Sequence, residues 1–389
     1  MAAQMTAVAV GWQVYSIHHR AFDLGLIGLL EFAPLPLLAL PAGHVADRLP
    51  RRRIMGAAFV LEGAVAGALL AVTLSGAREL WPFLLLAFAG GVAVALGTPA
   101  ARALPPMLVP PELLAGALAT RSVAFQIATT SGPALGGVLF AIRPELVYAI
   151  GAGLLLASVG CAVALREPRS VERLHAAEPP PGLASVLGGI RFIRSAPILL
   201  GAISLDLFAV LFGGAVALLP LYAQSILHVG PTGFGVLRSA PSVGALLAAL
   251  WLTRRPTDRR IGRTLLLVIG LFGASMVVFG LSRWFAVSAV ALAVSGLVDM
   301  FSVNIRSTTV AVATPDALRG RVLAVEMVFI SASNELGAFE SGAAAALVGA
   351  VPAVVAGGAF TIALAIASFR LFPQLASVDR FEDVRPAAG

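Results

Sequence analysis

Seven acidic residues lie inside long apolar stretches, where an ionised carboxylate is poorly solvated. They are Glu31, Glu62, Asp206, Asp299, Glu326, Glu335 and Glu340. A charged side chain at the centre of a lipid bilayer costs about 2.5–3.5 kcal/mol on insertion scales. Acids in such places therefore tend to face a polar cavity or a charged partner. The chemistry open to them is the uptake and release of a proton, and a structural role is the alternative for each.

Glu335 and Asp206 are the strongest candidates for proton chemistry. Glu335 follows Arg321 by 14 residues, or about 21 Å along a helix, which predicts a position near the membrane midplane. Gly337 would leave room beside it for a close helix contact or for water. Asp206 lies nine residues into its own apolar stretch and is the second candidate. In the alternative interpretation, Glu335 is a buried hydrogen-bonding strut.

Other polar side chains in the apolar stretches could line a cavity and bind a substrate. The candidates are Gln13, Glu31, Gln126, Asn334 and Glu340. Asn334 can hydrogen-bond a substrate or either protonation state of an adjacent acid. Gln126 is expected at a depth similar to that of Glu335, in the other half of the chain. Glu340 is less central, about 7 Å nearer the outer surface.

Two further acids have simple structural interpretations. Asp299 and Arg306 are seven residues apart, which places both on one face of a helix and predicts an ion pair. Glu326 is expected near the inner end of its helix, where it would pair with Arg319 or Arg321. Both pairs would stabilise the fold without taking part in chemistry.

The composition indicates which elements carry these residues. Of 389 residues, 59% are hydrophobic and 12% are charged, whereas about 25% are charged in soluble domains. A membrane-spanning helix takes about 20 apolar residues, so about twelve spans would use most of the chain. We therefore predict an all-α membrane protein with spans near residues 1–17, 22–42, 54–75, 81–103, 114–141, 145–165, 197–223, 230–252, 264–281, 284–305, 321–348 and 351–372.

The spans fall into two similar halves. The segment at 111–116 resembles the one at 315–320, at a constant offset of 204 residues. Parallel repeats of this kind place a substrate site between two pseudo-symmetric halves. Within the polar middle, residues 185–195 form either a short surface helix or the first turns of span 7. The predicted parts are a six-helix half at 1–165, a cytoplasmic central loop at 166–196, a second six-helix half at 197–372 and a cytoplasmic tail at 373–389.

Every one of the 27 basic residues is an arginine, and their placement predicts the orientation. Twenty-two arginines lie on one side of the predicted membrane, and four lie on the other, namely Arg20, Arg78, Arg143 and Arg283. The positive-inside rule makes the arginine-rich side, with both termini, cytoplasmic. The arginines form short clusters between apolar runs rather than one basic face with stacking aromatics, so no nucleic-acid partner is expected.

Cysteine and histidine give no sign of a cofactor site. Cys161 is the only cysteine, so no intramolecular disulfide can form. The five histidines lack metal-site spacing, and we expect neither a metal nor another cofactor. The sequence also lacks the G-x-x-x-x-G-K-[ST] loop that binds ATP, the G-x-S-x-G elbow and the H-E-x-x-H helix. It therefore predicts neither ATP drive within this chain nor an enzyme.

The first apolar stretch is short for a membrane span. Residues 1–17 reach about 25 Å as a helix, against a hydrocarbon core of about 30 Å, and Gln4 falls within them. We expect the native start to lie upstream of Met1. The alternative is a short span that thins the membrane locally.

The loop after the second span carries a signature. It reads Gly43-His44-Val45-Ala46-Asp47-Arg48-Leu49-Pro50-Arg51-Arg52-Arg53, which resembles the G-x-x-x-D-R-x-x-R-R loop of the major facilitator superfamily. The resemblance implies a gating element made of Gly43, Asp47, Arg48, Arg51, Arg52 and Arg102. Gly43 would let two helices approach closely, and Asp47 would bind helix-end N–H groups or an arginine such as Arg102. Pro50 replaces a glycine common in that loop.

The fifth span contains Gly132-Pro133-Ala134-Leu135-Gly136-Gly137. This segment resembles the G-P-x-x-G-G segment of exporters in the same superfamily, although Val123 stands where an upstream glycine is common. Proline removes a backbone hydrogen bond and bends a helix, and the glycines offer a smooth face for tight packing. The resemblance makes Gly132, Pro133, Gly136 and Gly137 an exporter-type helix bend, and a generic bent helix is the alternative.

Nearly the whole chain resembles the branch of transmembrane secretion effectors that includes the enterobactin exporter. The segments that carry this likeness are the opening, from Gln4 to Tyr15, and the span from Val325 to Gly342. The branch implies a secondary active exporter in the bacterial inner membrane, working by alternating access as a monomer. It would exchange protons for a small amphipathic organic molecule, such as a siderophore or a drug. An importer of a small solute and a non-transporting membrane sensor are the alternatives.

Overall fold

The computed structural model describes residues 1–38, 49–165, 183–255 and 257–384. Within these ranges the chain is helical and contains no β-strand. A chain surrounded by lipid must satisfy its backbone hydrogen bonds internally, which a helix does within one segment. The predicted all-α membrane fold is thereby confirmed.

The N-terminal part of the chain forms helices of 12 to 32 residues. They are α1 (Ala2–His18), α2 (Ala21–Phe32), α3 (Arg51–Leu74), α4 (Trp81–Ala103), α5 (Pro111–Ile142) and α6 (Pro144–Ala164). Prolines occupy the first turn of α4, α5 and α6, where a missing N–H group leaves no helical hydrogen bond unmade.

The C-terminal part begins with a shorter helix and continues with longer ones. They are α7 (Leu183–Ser195), α8 (Pro197–Gly213), α9 (Pro231–Arg254), α10 (Ile261–Leu281), α11 (Phe285–Ala313), α12 (Asp316–Val348), α13 (Ala350–Leu371) and α14 (Pro373–Ser377). Beyond α8 the chain continues through a 3₁₀ turn at Val216–Leu218 and a π-helical turn at Tyr222–Ile226.

Eleven helical stretches among the described residues are long and apolar enough to cross a membrane. They correspond to every predicted span except the first. Helix α1, which corresponds to the predicted first span, has 17 residues and is therefore about 25 Å long. It packs against α5 and α6. The chain is thus a multi-pass membrane protein.

The helices assemble into two compact units. The first comprises Met1–Pro180 with Val229–Ser239, and the second comprises Pro181–His228 with Ala240–Gly389. The start of α9, up to Ser239, therefore belongs with the N-terminal helices.

Each unit has its own apolar core. In the first unit, Met5, Val14, Phe83, Val147 and Tyr148 are buried together. The second unit buries a larger set, which includes Leu205, Leu265, Ile305 and Val325. Large apolar side chains such as Leu156, Leu267 and Ile366 point outward, as expected where lipid rather than water surrounds the protein.

The structure of α7 distinguishes between the two interpretations of residues 185–195. Ala196 has extended backbone angles, which separates α7 from α8. Residues 185–195 therefore belong to a distinct helix and are not the first turns of span 7. Helix α7 packs on the start of α12, where a Cβ atom at Gly189 would lie 2.9 Å from the carbonyl oxygen of Arg321.

Residues 373–384, part of the predicted tail, pack on the second unit. The N–H groups at the start of a helix have no partner within that helix. At the start of α10, the N–H groups of Ile261 and Gly262 donate to the carbonyl oxygens of Asp379 (3.2 Å) and Val378 (3.1 Å). The N–H group of Arg260 donates to the Asp379 carboxylate at 3.2 Å. The tail thus caps α10.

Apolar contacts hold the same tail segment in place. Leu375, Val378 and Val384 are buried in the core of the second unit. A Cβ atom at Gly262 would clash with the carbonyl oxygen of Leu375, so glycine permits this close approach. Residues 373–384 are therefore an integral part of the folded second unit.

Candidate functional site

A buried arginine lies between two acids in the second unit. Arg306, on α11, is 3% exposed. Its Nη1 donates to Asp206 Oδ2 on α8, and its Nε is 3.6 Å from Glu326 Oε1 on α12. Asp206 and Glu326 are also buried. These three residues, called the Arg306 cluster below, join three helices through charge.

Asp299 adds a third acid beside the Arg306 cluster. It lies two turns before Arg306 on α11, and its charge is repelled by Asp206 and attracted by Arg306. Asp299 and Asp206 line the same small cavity. Full ionisation would place three negative charges around one guanidinium.

These pairings correct two sequence predictions. Asp299 was expected to pair with Arg306, but the guanidinium of Arg306 bonds to Asp206 on another helix. Glu326 was expected to pair with Arg319 or Arg321 and instead pairs with Arg306. Spacing along one helix indicates which residues share a face, whereas these partners come from three helices. The sequence feature that could have indicated this cluster is the presence of one arginine and three acids in or next to the apolar stretches.

Glu335 lies elsewhere on α12. It is half-buried, and the adjacent Asn334 is exposed. Glu335 follows Glu326 by nine residues, about 13.5 Å along the helix. Gly337 makes a close helix contact, since a Cβ atom there would lie 3.0 Å from the carbonyl oxygens of Val210 and Leu211 on α8. The α12 acid that pairs with Arg306 is thus Glu326.

Glu340 lies further along α12 and is half-buried. The hydroxyl group of the adjacent Ser341 donates to the carbonyl oxygen of Gly214 at 2.7 Å. This contact ties α12 to the end of α8.

In the first unit, Gln13 connects three helices. Its Nε2 donates to Thr73 Oγ1 at 3.1 Å, and its Oε1 accepts from the Tyr148 hydroxyl at 2.7 Å. Among the described residues, these hydrogen bonds join the carboxamide to α3 and α6. Gln13 and Tyr148 are buried, which gives Gln13 the geometry of a positioning residue.

Two other predicted cavity residues of the first unit have different surroundings. Glu31, on α2, is exposed and is attracted electrostatically by Arg238, in the part of α9 that belongs to this unit. Gln126 Nε2 donates to Thr130 Oγ1, one turn further along α5, at 3.3 Å.

The glycines of the α5 motif form close contacts. Cβ atoms at Gly132 and Gly136 would lie 2.7 Å from Gln4 Cβ and 2.9 Å from Met5 Cα of α1. A Cβ atom at Gly137 would clash with the carbonyl oxygen of Pro231, at the start of α9. These glycines let α5 approach both helices.

Part of the signature loop lies outside the described residues, namely Gly43, Asp47 and Arg48. The side chain of Arg102, on α4, is not described either. Arg52 Nη1 donates to the carbonyl oxygen of Leu165, just past the end of α6, a favourable place for a cation. Arg51 Nη1 is 3.3 Å from Met107 Sδ. The gating role of this loop stays a prediction.

The fold is shared with a solved transporter structure. A bacterial homologue of the human lysosomal transporter Spinster has a solved structure with a TM-score of 0.71 against this chain. It is 16% identical, and the match covers 96% of each chain. A likeness at this identity shows the fold, which is that of the major facilitator transporters.

The family follows from the sequence. A family model described as "Transmembrane secretion effector" matches residues 1–385. The chain belongs to this family, and it is a membrane transporter rather than an enzyme.

Curated relatives agree with this assignment. The enterobactin exporter EntS of Escherichia coli O1:K1 / APEC is 26% identical over 389 residues, which cover 98% of this chain and 90% of the relative. EntS of Citrobacter koseri is 27% identical over 325 residues, which cover 82% and 76%.

Proposed function

We propose that this protein is a secondary active exporter that exchanges protons for a small amphipathic organic molecule, such as a siderophore or a drug-like compound. The Arg306 cluster is the observation that carries the proposal. The two relatives named above are exporters of enterobactin, which supports the direction and the substrate class. Transport would proceed by alternating access in the bacterial inner membrane.

The charge balance of the Arg306 cluster and the neighbouring Asp299 favours proton uptake. Asp206, Asp299 and Glu326 supply three carboxyl groups near one guanidinium. With every group ionised, two negative charges remain uncompensated in a buried site. A proton bound by one carboxyl group removes one of these charges. Its gain or loss changes the attraction between α8 and α11 and so couples protons to helix movement.

Residues outside the cluster would bind the substrate. Asn334 and Glu335 offer an amide and a carboxyl group on adjacent positions of α12, and Glu335 is also a candidate for proton exchange. Gln13 would position its neighbours rather than touch substrate, because its carboxamide is already bound to Thr73 and Tyr148. The further candidates for substrate contact are Glu31, Gln126 and Glu340.

The proposal is tested by transport into inside-out membrane vesicles. An imposed gradient, acid inside, should drive accumulation of a catecholate siderophore or a lipophilic fluorescent dye, and a protonophore should abolish it. Accumulation of these compounds only in right-side-out vesicles would identify an importer. Binding without transport in either orientation would favour a sensor.

We expect Glu335→Gln to lower proton-driven uptake while expression and substrate binding stay normal. Glutamine keeps the shape and most hydrogen bonds of glutamate but cannot carry a proton. Uptake in inside-out vesicles, measured at several pH values, checks this. A native rate with unchanged pH dependence would show that Glu335 is not a coupling group.

We also propose that both termini and the central segment at 166–196 are cytoplasmic, and that one chain suffices for transport. Single cysteines at positions 77 and 283, in a Cys161-free background, should react with an impermeant reagent added outside sealed cells. A cysteine at 178 should react only after the membrane is opened. Outside labelling at 178 would overturn this topology.

A further inference from the structure

A small cavity lies beside the Arg306 cluster, where α8, α10 and α11 meet. Its volume of ≈ 10 Å³ is enough for about one water molecule. Asp206, Asp299 and Ser302 are its polar lining residues. The remaining lining side chains are apolar, namely Ala209, Val210, Val268, Ile269, Phe272 and Val298.

The side chain of Ser302 indicates that the cavity is occupied. The residue is 4% exposed, and its Oγ makes no hydrogen bond within the described part of the chain. A buried hydroxyl without a partner costs about 1–3 kcal/mol. Ser302 follows Asp299 by three residues, so the two side chains are neighbours on one face of α11. A water molecule in the cavity has three polar partners available, which is what a buried water needs.

We propose that this cavity holds one water molecule bridging Ser302 and Asp299, and that Asp299 carries the exchanged proton. The inference rests on the proposed proton exchange and names its carrier. Asp206 and Glu326 are each paired with Arg306, so their negative charges are stabilised. Asp299 lies beside the water and next to a second acid, which makes it the carboxyl group most readily neutralised.

The proton step is a simple transfer. On loading, a hydronium ion gives one proton to a carboxylate oxygen of Asp299 and leaves a neutral water molecule. On release, the O–H bond of Asp299 breaks and the proton returns to water, so the carboxylate regains its charge. Asp206 and Arg306 are the charged groups that act on Asp299, and Glu326 is paired with Arg306. Helix α10 contributes only apolar side chains to the cavity.

The cavity suits a water molecule better than a metal ion. Hard cations take about six oxygen ligands, whereas only Asp206, Asp299 and Ser302 bring side-chain oxygens to this lining. Arg306 also places a positive charge next to the site. Both features disfavour sodium and leave the proton as the cation to be bound.

Infrared difference spectroscopy of the full-length protein in lipid tests the assignment without transport. Titration from acid to neutral pH should reveal the C=O band of a protonated carboxyl group, and Asp299→Asn should remove it. Ser302→Ala should retain the band but shift its frequency, because the hydrogen-bonded water loses one partner. The matched control Ser295→Ala should leave the band unchanged, since Ser295 Oγ donates to the Leu292 carbonyl oxygen at 2.7 Å. Glu79→Gln, in an exposed loop, should also have no effect.

A band that persists unchanged in folded Asp299→Asn protein would overturn the proposal. Loss of the band on addition of sodium chloride at constant pH would also overturn it, because it would identify a metal ion as the occupant. If the band behaves as expected but no proton-driven transport occurs, the proposed function fails while the proton site stands. Thermal unfolding of each variant verifies that the protein compared is folded.

Discussion

Replacing Arg306 with leucine should destabilise the second unit by about 3–5 kcal/mol, the range observed when one partner of a buried ion pair is removed. The substitution leaves the buried carboxyl groups of Asp206 and Glu326 without their cation. The expected signs are poor expression and a lower unfolding temperature in detergent. Thermal unfolding followed by intrinsic fluorescence measures the effect.

A triple variant separates the structural role of the charges from their functional role. Asp206→Leu, Arg306→Leu and Glu326→Leu together remove the whole cluster, and replacement of buried charges by apolar residues is often neutral or stabilising. This variant should regain much of the stability lost in Arg306→Leu but should not transport against a gradient. If Arg306→Leu alone is as stable as the native protein, the ion pairs contribute nothing to the fold.

Asp206→Asn should abolish uptake driven by a pH gradient, to the level of vesicles without the protein. Asparagine can still accept a hydrogen bond from Arg306, so the fold should survive. It carries no charge, however, and Arg306 would then be attracted only by Glu326 and Asp299. The coupling between proton binding and the contact of α8 with α11 would be lost.

The measurement combines two assays on the same vesicles. Gradient-driven uptake should disappear, while exchange of labelled for unlabelled substrate, which requires no proton, should continue. Glu79→Gln serves as the control because this acid lies in an exposed loop. If the Asp206→Asn variant shows gradient-driven uptake at the native rate, Asp206 takes no part in the coupling mechanism. Glu335 and Asp299 would then remain as candidates.

The sequence predicts the helices well because lipid leaves a chain few alternatives. The predicted spans at 145–165 and 351–372 correspond to α6 and α13, Pro144–Ala164 and Ala350–Leu371. Apolar length alone suffices for such predictions. The first span is the exception, because α1, with 17 residues, is not among the helical stretches long enough to cross a membrane.

The candidate site could be predicted from the sequence only in part. Asp206 is recognisable as a buried acid, but nothing in its own apolar stretch indicates that Arg306, 100 residues later, is its partner. That pairing depends on how α8 and α11 are packed. The cavity depends on the same packing, and so does the Ser302 hydroxyl group, which has no hydrogen-bond partner among the described residues.

The sequence of the tail contains an apolar pattern from which its packing could have been predicted. Leu375, Val378, Phe381 and Val384 recur every three residues, a spacing typical of a segment that buries one face. A free tail would not need this pattern. The prediction of a cytoplasmic tail at 373–389 did not use this pattern.

The capping of α10 by residues 378 and 379 has a consequence for biogenesis. The ribosome makes these two residues 117 and 118 residues after Ile261, the first residue of α10. The first N–H groups of α10 therefore stay without their final partners while α11, α12 and α13 are synthesised. A ribosome stalled before residue 378 would hold a chain whose α10 is not yet capped.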